Sequence, residues 1–319
     1  MRFAFLVLGL VAFAVHGQEY PNKPIRMLVP FAPGGAVDTT ARVLAQAMQQ
    51  RLSNWQFVIE NRPGGNGFIA TTAVAKAAPD GYTLLMAHTG EFAVNPALFP
   101  DVPYELDRDF VAITMVSDAP MLYLATAKAP FNSFQELVAQ AKAKPGSISY
   151  GSAGNGSINH LAGEWLAQAA GIELLHVPYK GGAPAAAAVA AGDVHFGVMA
   201  APGAIPHIKS GRGKVIGITT AKKSPLDPSW ATPRDAGIPD LDASIWVGLF
   251  APKGTPQPVV DRLNREVRET LKSPDVQKRF IESAGGEAVG MTQQEFLARI
   301  KADAERYKRV VQKAGVKPG

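Results

Sequence analysis

The chain has 319 residues, a formal net charge of +5 and no cysteine. Its length is sufficient for two ordinary domains with a substantial core. The absence of cysteine excludes disulfides, thiol nucleophiles, Cys-ligated metals and a lipid anchor on an N-terminal cysteine. The lysines and arginines are spread along the chain, with no basic run interleaved with aromatics. The net charge therefore favours anionic small ligands over nucleic acid.

The first 17 residues are typical of a secretory signal peptide. Arg2 supplies a short positive region, and residues 3–15 form an apolar run that is shorter than a typical membrane span. Small residues follow, which predicts cleavage after Gly17. We expect an exported protein, periplasmic in a bacterium with two membranes. The alternative is a membrane anchor helix.

Strand and helix patterns alternate along the mature chain, which predicts an α/β protein with parallel sheets and right-handed crossovers. Near the C-terminus, capping signals at Thr255-Pro256 and at Thr292 predict two final helices. The other predicted strands are 23–31, 55–63, 82–89, 147–153, 174–179, 194–200 and 214–220; the helices are 36–52, 64–81, 133–144, 157–170 and 183–191.

Two long extended runs, 110–127 and 243–254, lie on either side of the second set of strands and helices. Such runs can carry the chain out of one domain and back into it. They predict two α/β domains joined by two crossing segments, with a ligand cleft between them. The expected boundaries are residues 1–17 for the signal peptide, 18–123 with 247–319 for domain 1, and 124–246 for domain 2.

Glycine-rich turns stand where predicted strands give way to predicted helices. A helix N-terminus exposes unpaired N–H groups and a partial positive charge, and glycine lets a ligand approach the backbone. Pro33-Gly34-Gly35 is therefore a candidate site for a carboxylate or phosphate, although a glycine pair is more often only a turn. Similar turns occur at 60–68, 151–160 and 177–188. We expect at least two of the four to hold one end of a small molecule.

The turn at 151–160 adds polar side chains, because Ser152, Asn155 and Ser157 carry hydroxyl or amide groups. Ser157 is equally suited to a simple N-cap role. His160 falls in the first helical turn, where either a structural hydrogen bond or ligand contact fits.

Two acids lie beside these turns. Asp38 follows the first turn, where a negative charge suits the helix dipole, so a capping role is favoured. Glu91 follows the third strand. It could bind a cationic ligand group, but as a lone acid it is expected to be solvated.

Motifs for catalysis and cofactors are absent from the sequence. It contains no P-loop, no dinucleotide fingerprint after a strand, no G-x-S-x-G elbow and no H-E-x-x-H. The turns lack a nucleophile beside a base. A non-enzymatic protein without metal or organic cofactor is expected.

Several motifs in fixed order resemble the Bug family, the extracytoplasmic solute receptors of tripartite tricarboxylate transporters. The resemblance covers nearly the whole mature chain. It implies a type II periplasmic-binding-protein fold that closes on a di- or tricarboxylate, an acidic amino acid or an aromatic acid. The expected partners are membrane transporter subunits, and a monomer is expected. The motifs are "YPNKPIRMLVPFAPGGAVDTTAR", "VIENRPGGNGFIATTAVAKAAPDGYTLLM", "INHLAGEWL", "HVPYKGGAPAAAAVAAGDVHF" and "LFAPKGTPQPVVDRLN".

The resemblance also implies which residues contact the ligand. One carboxylate is expected on backbone groups and bridging waters of the first and third turns. The far end of the ligand is expected near Thr89, Gly90, Glu91 and Phe92, with Met199 and Ala200 opposite. Glu91 departs from the small or neutral residue expected there, which disfavours a simple dicarboxylate and favours a nitrogen-containing acid. The turn residues are Phe31, Ala32, Pro33, Gly34, Gly35, Ser152, Ala153, Gly154, Asn155, Gly156 and Ser157.

The sequence thus predicts an exported solute receptor. Two alternatives stay open: a ligand-sensing module that acts on a membrane signalling protein, and a secreted hydrolase. The hydrolase would have to use Ser157 and His160, which lie three residues apart without a clear acid partner.

Overall fold

The computed structural model describes residues 20–238, 241–314 and 316. The predicted signal peptide lies outside the described residues. Within them, no helix combines the length and the apolar character that a membrane crossing requires.

The first strands and helices follow the predicted order. Apolar side chains bury strand β1, and the apolar face of helix α1 packs on it through Ala41, Leu44 and Met48. The elements are β1 (Ile25–Val29), α1 (Ala36–Arg51), β2 (Phe57–Asn61), α2 (Phe68–Ala75) and β3 (Thr83–His88). A π-helical turn (Gly90–Val94) leads into the short helices α3 (Asn95–Leu98) and α4 (Leu106–Asp109).

The rest of the chain adds seven strands and seven helices among the described residues. They are β4 (Phe110–Thr126), α5 (Phe134–Ala143), β5 (Ile148–Ser152), α6 (Ile158–Ala170), β6 (Leu174–Pro178), α7 (Gly182–Ala191), β7 (Phe196–Ala200), α8 (Ala201–Lys209), β8 (Gly213–Ile218), β9 (Ser244–Pro252), α9 (Gln257–Leu271), α10 (Pro274–Ala284), β10 (Glu287–Ala288) and α11 (Gln293–Ala314).

The long strand β4 connects two groups of strands. Its first part, Phe110 to Pro120, pairs with β9, and its second part, Met121 to Thr126, pairs with β7 and β8. Strands β1, β2, β3 and β9 form the N-terminal strand group, and β5 to β8 form the central strand group. As predicted, β1 runs parallel to β2 and β3, and β5 runs parallel to β6 and β7. The predicted domain boundaries stay a prediction.

The helices depart from the prediction at several points, and the short helices α3 and α4 were not predicted. The C-terminal region holds three helices rather than two, because Pro274 occupies the first turn of α10, where its missing N–H costs nothing. Helix α8 was not predicted, since Pro206 lies inside it. The helix predicted from residue 64 begins only at Phe68, after Gly67 adopts a left-handed conformation with φ of 90°.

Helix α11 fixes the two long strands against each other. The Phe296 ring lies over Gly248 of β9, where a Cβ atom would collide with it, and packs edge-on against Trp246. The Trp246 indole N–H donates to Asp303 (2.9 Å). Arg299 of the same helix bridges Asp303 and Asp118 of β4. The strands that lead to the cavity are thereby held from behind.

Replacing Phe296 with alanine tests this anchor. The ring is fully buried, so its loss leaves a void, and we expect the free energy of unfolding to fall by about 3–5 kcal/mol. The exposed Lys308 on the same helix is the control, and K308A should change the free energy of unfolding by less than about 0.5 kcal/mol. Equal effects in chemical denaturation would contradict the anchor.

Candidate functional site

A cavity of about 590 Å³ lies where the two strand groups face each other. All four glycine-rich turns that the sequence singled out contribute to its wall. They follow the carboxyl ends of β1, β2, β5 and β6, which is the edge where α/β sheets bind ligands. The wall contains residues 31–33, 35–37, 63–67, 153–154, 156–159 and 179–184.

Five of the described helices, α1, α2, α6, α7 and α8, have their N-cap residue in this wall, and α1, α6 and α7 follow three of the glycine-rich turns. Helices α1 and α7 have Gly35 and Gly181 at their N-caps, and no side chain caps either helix. Their first-turn N–H groups are therefore available to a ligand. Helix α6 is capped by Ser157, whose Oγ accepts from the His160 N–H (3.2 Å). These N-terminal ends bring partial positive charge to one cavity.

Charged side chains contribute little to the wall. Among the described lining residues, Lys180 alone is a lysine, arginine, aspartate or glutamate, and it is exposed. An anion in this cavity would therefore meet mainly neutral donors, among them the backbone N–H groups at helix N-termini.

Asp38 lies behind the first turn and outside the wall. It is 3% exposed, and its carboxylate accepts from Gly34 N–H (2.9 Å), Asn61 Nδ2 (3.0 Å) and Arg42 Nε (3.0 Å). Burial alone would raise the pKa of Asp38, but these hydrogen bonds outweigh it and lower the pKa. The sequence favours a helix-capping role for Asp38; in the structure its carboxylate accepts from the N–H of Gly34, one residue before the N-cap, and fixes the turn without reaching the cavity.

Polar groups also support the third turn from behind. Ser152 Oγ lies 2.7 Å from His176 Nε2, and Ser157 Oγ donates to Gly154 O (2.7 Å). His160 Nδ1 accepts from Gly156 N–H (3.1 Å). The structural interpretations of Ser157 and His160 match these contacts.

The rings of His160 and His176 stack with their centroids 3.8 Å apart. Burial, together with its His176 neighbour, lowers the pKa of His160 to about 4, and burial lowers the pKa of His176 to about 4. Both imidazoles are therefore neutral at neutral pH and act as hydrogen-bonding supports.

The far end of the cavity differs from the prediction. The expectation that Glu91 is solvated is wrong: it is 0% exposed, and its Oε2 accepts from His88 N–H (2.8 Å). The π-helical turn folds it back under the end of β3 and beneath Gly67. Thr89 accepts from Trp246 N–H (3.0 Å), and Met199 is fully buried against α7 and α8. Gly90 and Ala200 are in the wall.

The predicted site residues thus fall into two sets. Those in the wall are Phe31, Ala32, Pro33, Gly35, Gly90, Ala153, Gly154, Gly156, Ser157 and Ala200. Those outside it are Gly34, Asp38, Thr89, Glu91, Phe92, Ser152, Asn155, His160 and Met199.

Sequence reasoning missed His88, which lines the cavity as the last residue of β3. Its position at the carboxyl end of a parallel strand was the available signal. Asn66 was also missed. Its Nδ2 donates to Asn155 O (3.2 Å), so the two strand groups touch across the cavity.

The sequence pattern of the "Tripartite tricarboxylate transporter family receptor" matches residues 40–316. Protein BugT of Bordetella pertussis is 35% identical over 314 residues, covering 98% of this chain and 96% of BugT.

Solved structures of other proteins are similar to this chain over nearly its whole length. One described as a periplasmic transporter is 38% identical, with a TM-score of 0.86 over 93% of this chain and 99% of its own. A protein of R. palustris solved with adipate is 32% identical, with a TM-score of 0.90 over 94% and 100%. MatC from Rhodopseudomonas palustris, with bound malate, is 31% identical, with a TM-score of 0.83 over 92% and 100%.

Fold and cavity together define a solute-binding receptor of the periplasmic type. The chain belongs to the tripartite tricarboxylate transporter receptor family. The predicted family, fold class and receptor function are confirmed.

Asp38→Asn tests the support of the first turn. The amide NH2 of the new asparagine would face N–H groups that now donate to the carboxylate. We therefore expect the free energy of unfolding to fall by about 1–3 kcal/mol at neutral pH. The folded-state pKa of Asp38 is lowered, so its contribution is complete above the unfolded pKa and disappears as pH falls through the folded one. In D38N the free energy of unfolding should therefore depend less on pH in that acid range. The exposed Asp101 offers the control D101N, and identical profiles would contradict the assignment.

The stacked histidines predict a second pH effect. Because the folded pKa of each is about 4 and the unfolded value about 6.5, stability should fall as pH drops through this window. H176Q removes one of the two imidazoles. It should reduce the slope of the free energy of unfolding against pH by roughly 1 kcal/mol per pH unit. Urea denaturation at a series of pH values measures it, and an unchanged slope would contradict the assignment.

Proposed function

We propose that this receptor captures a small organic acid in its cavity and delivers it to a membrane transporter from the periplasm. One observation carries the proposal: four glycine-rich turns and the N-termini of five described helices surround one cavity whose wall is nearly free of charged side chains. Backbone N–H groups at helix N-termini suit a carboxylate. The family membership supports the transporter as partner.

Dicarboxylates are the ligand class that we favour. The earlier objection was that Glu91 would meet a second carboxylate, but Glu91 is buried behind the wall. Two similar structures hold adipate and malate, which are both dicarboxylates. The cavity volume of about 590 Å³ leaves ample room for an acid of that size.

We propose that ligand enters when the two strand groups separate. The hydrogen bond from Asn66 to Asn155 closes one side of the cavity, and β4 and β9 connect the groups. We propose that the monomer opens by a hinge in these strands and that the bound acid favours closure.

A hydrolytic function has little support. The Ser157 hydroxyl donates to the Gly154 carbonyl and accepts from the backbone of His160, and the His160 ring accepts from Gly156 N–H. This geometry engages both groups in holding the turn, so we propose that the protein is not an enzyme.

Calorimetric titration tests the ligand class. The mature protein is unfolded, refolded to remove copurified ligand, and checked by native mass spectrometry. We expect one-to-one binding of at least one of succinate, malate, adipate, citrate, aspartate, glutamate, nicotinate and terephthalate. No binding of any acid to folded, empty protein would overturn the proposal.

Ala36→Pro tests the backbone mechanism. Ala36 is the first residue of α1 and lines the cavity; proline fits this position, and Gly35 is already extended, with φ of −81° and ψ of 176°. The change deletes one N–H donor and leaves the helix intact. We expect the acid identified above to bind about tenfold to a hundredfold more weakly. The control A36S keeps the N–H group. Equal affinity of A36P and A36S would contradict backbone binding.

A further inference from the structure

His88 gives the far end of the cavity a hydrogen-bonding side chain. It is the last residue of β3, it lines the cavity, and its ring packs against Phe31 with centroids 4.6 Å apart. It is 9% exposed, and Nε2 makes no hydrogen bond to any residue that the structure describes. Nε2 is also not among the fully buried atoms without a partner. This nitrogen is therefore available to a ligand.

The other ring nitrogen is fully engaged. His88 Nδ1 lies 2.7 Å from Glu91 Oε2 and 2.9 Å from the Gly90 nitrogen. The same Oε2 accepts from the His88 backbone N–H (2.8 Å). Glu91 thus orients the imidazole from behind and does not reach the cavity.

These contacts determine where the protons lie. A distance of 2.7 Å between Nδ1 and Oε2 requires one shared proton. If the carboxyl group holds it, Nδ1 is an acceptor and the ring proton is on Nε2; if the ring is an imidazolium, both nitrogens carry protons. Any ring with a proton on Nδ1, neutral or imidazolium, places that proton against the Gly90 N–H, which points at the same nitrogen (2.9 Å). Only the arrangement with the shared proton on Glu91 leaves Nδ1 free to accept. The geometry therefore favours a proton on Nε2.

Charge leads to the same assignment. Glu91 is fully buried, and its Oε1 has no hydrogen-bond partner in the described part of the chain. The neighbouring Tyr104 donates to the Glu91 backbone oxygen rather than to its carboxylate. On α11, which packs against this turn, Arg299 is already paired with Asp118 and Asp303. An ionised Glu91 beside a neutral His88 would leave an uncompensated buried charge, which is costly.

We infer that His88 presents an Nε2–H donor to the far end of the bound acid, that Glu91 positions it, and that the pair selects acids with a second carboxylate. The inference rests on the proposed function, in which the first carboxylate lies on the backbone turns. This role of Glu91 is the reverse of the one expected from the sequence. Glu91 does not repel a second carboxylate, because it orients the His88 donor toward that carboxylate.

Two substitutions at one position separate the two ring nitrogens. An asparagine amide can replace Nδ1, so H88N keeps a partner for Glu91 and loses the donor to the cavity. A glutamine amide can replace Nε2, so H88Q keeps the donor. We expect wild type to bind adipate and succinate at least about tenfold more tightly than hexanoate and butyrate. H88N should abolish this preference, and H88Q should retain part of it.

His195 provides the control, because it lies outside the cavity wall and contacts Ser149. H195N should keep the wild-type preference. If wild type binds no acid, the proposed function itself fails. If acids bind and H88N still prefers dicarboxylates as wild type does, the assignment of His88 alone is overturned.

Glu91→Gln tests the positioning role. Nitrogen NMR of the imidazole should show Nε2 protonated in the wild-type protein and a mixture of ring tautomers in E91Q. The preference for dicarboxylates should weaken in the same variant, while hexanoate and butyrate bind as before. An unchanged tautomer and an unchanged preference would exclude Glu91 as the positioning residue.

Discussion

The whole site depends on backbone that must be held from behind. A wall of glycine turns offers N–H groups to an anion, but it has few side chains of its own to fix its shape. The structure supplies that shape from a second layer of buried polar groups: Asp38 behind the first turn, and the stacked His160 and His176 behind the third. Glu91 does the same for the His88 ring. Each has hydrogen-bond partners within the protein, so the wall is set before a ligand arrives.

This arrangement suits a receptor that must release what it binds. Backbone donors and helix dipoles attract a carboxylate without the strong pairing of a buried arginine. Lys180, at the exposed part of the wall, adds attraction over distance. The two sides of the cavity come from strand groups that share β4, so a small change in this strand alters the distance between them. Helix α11 limits that change by tying β9 and β4 together through Trp246 and Arg299.

Much of this could be read from the sequence. Gly35 stands where a strand pattern gives way to a helix pattern, and it lines the cavity, so a local rule is enough to place it at the site. Glu91 was misjudged, because its burial depends on a π-helical turn that brings it back to His88, and no periodicity in the sequence shows that turn. Met199 ends in a buried cluster, since alternation along β7 turns it away from the cavity. Contacts between distant segments, such as Asn66 with Asn155, need the fold itself.

A crystal structure of the refolded protein with adipate tests the central claim most directly. We predict one carboxylate within about 3 Å of the N–H groups at the first turns of α1 and α6, and the other at the same distance from His88 Nε2. Adipate bound outside the cavity, or held by Lys180 at the rim with both glycine turns left free, would contradict the account.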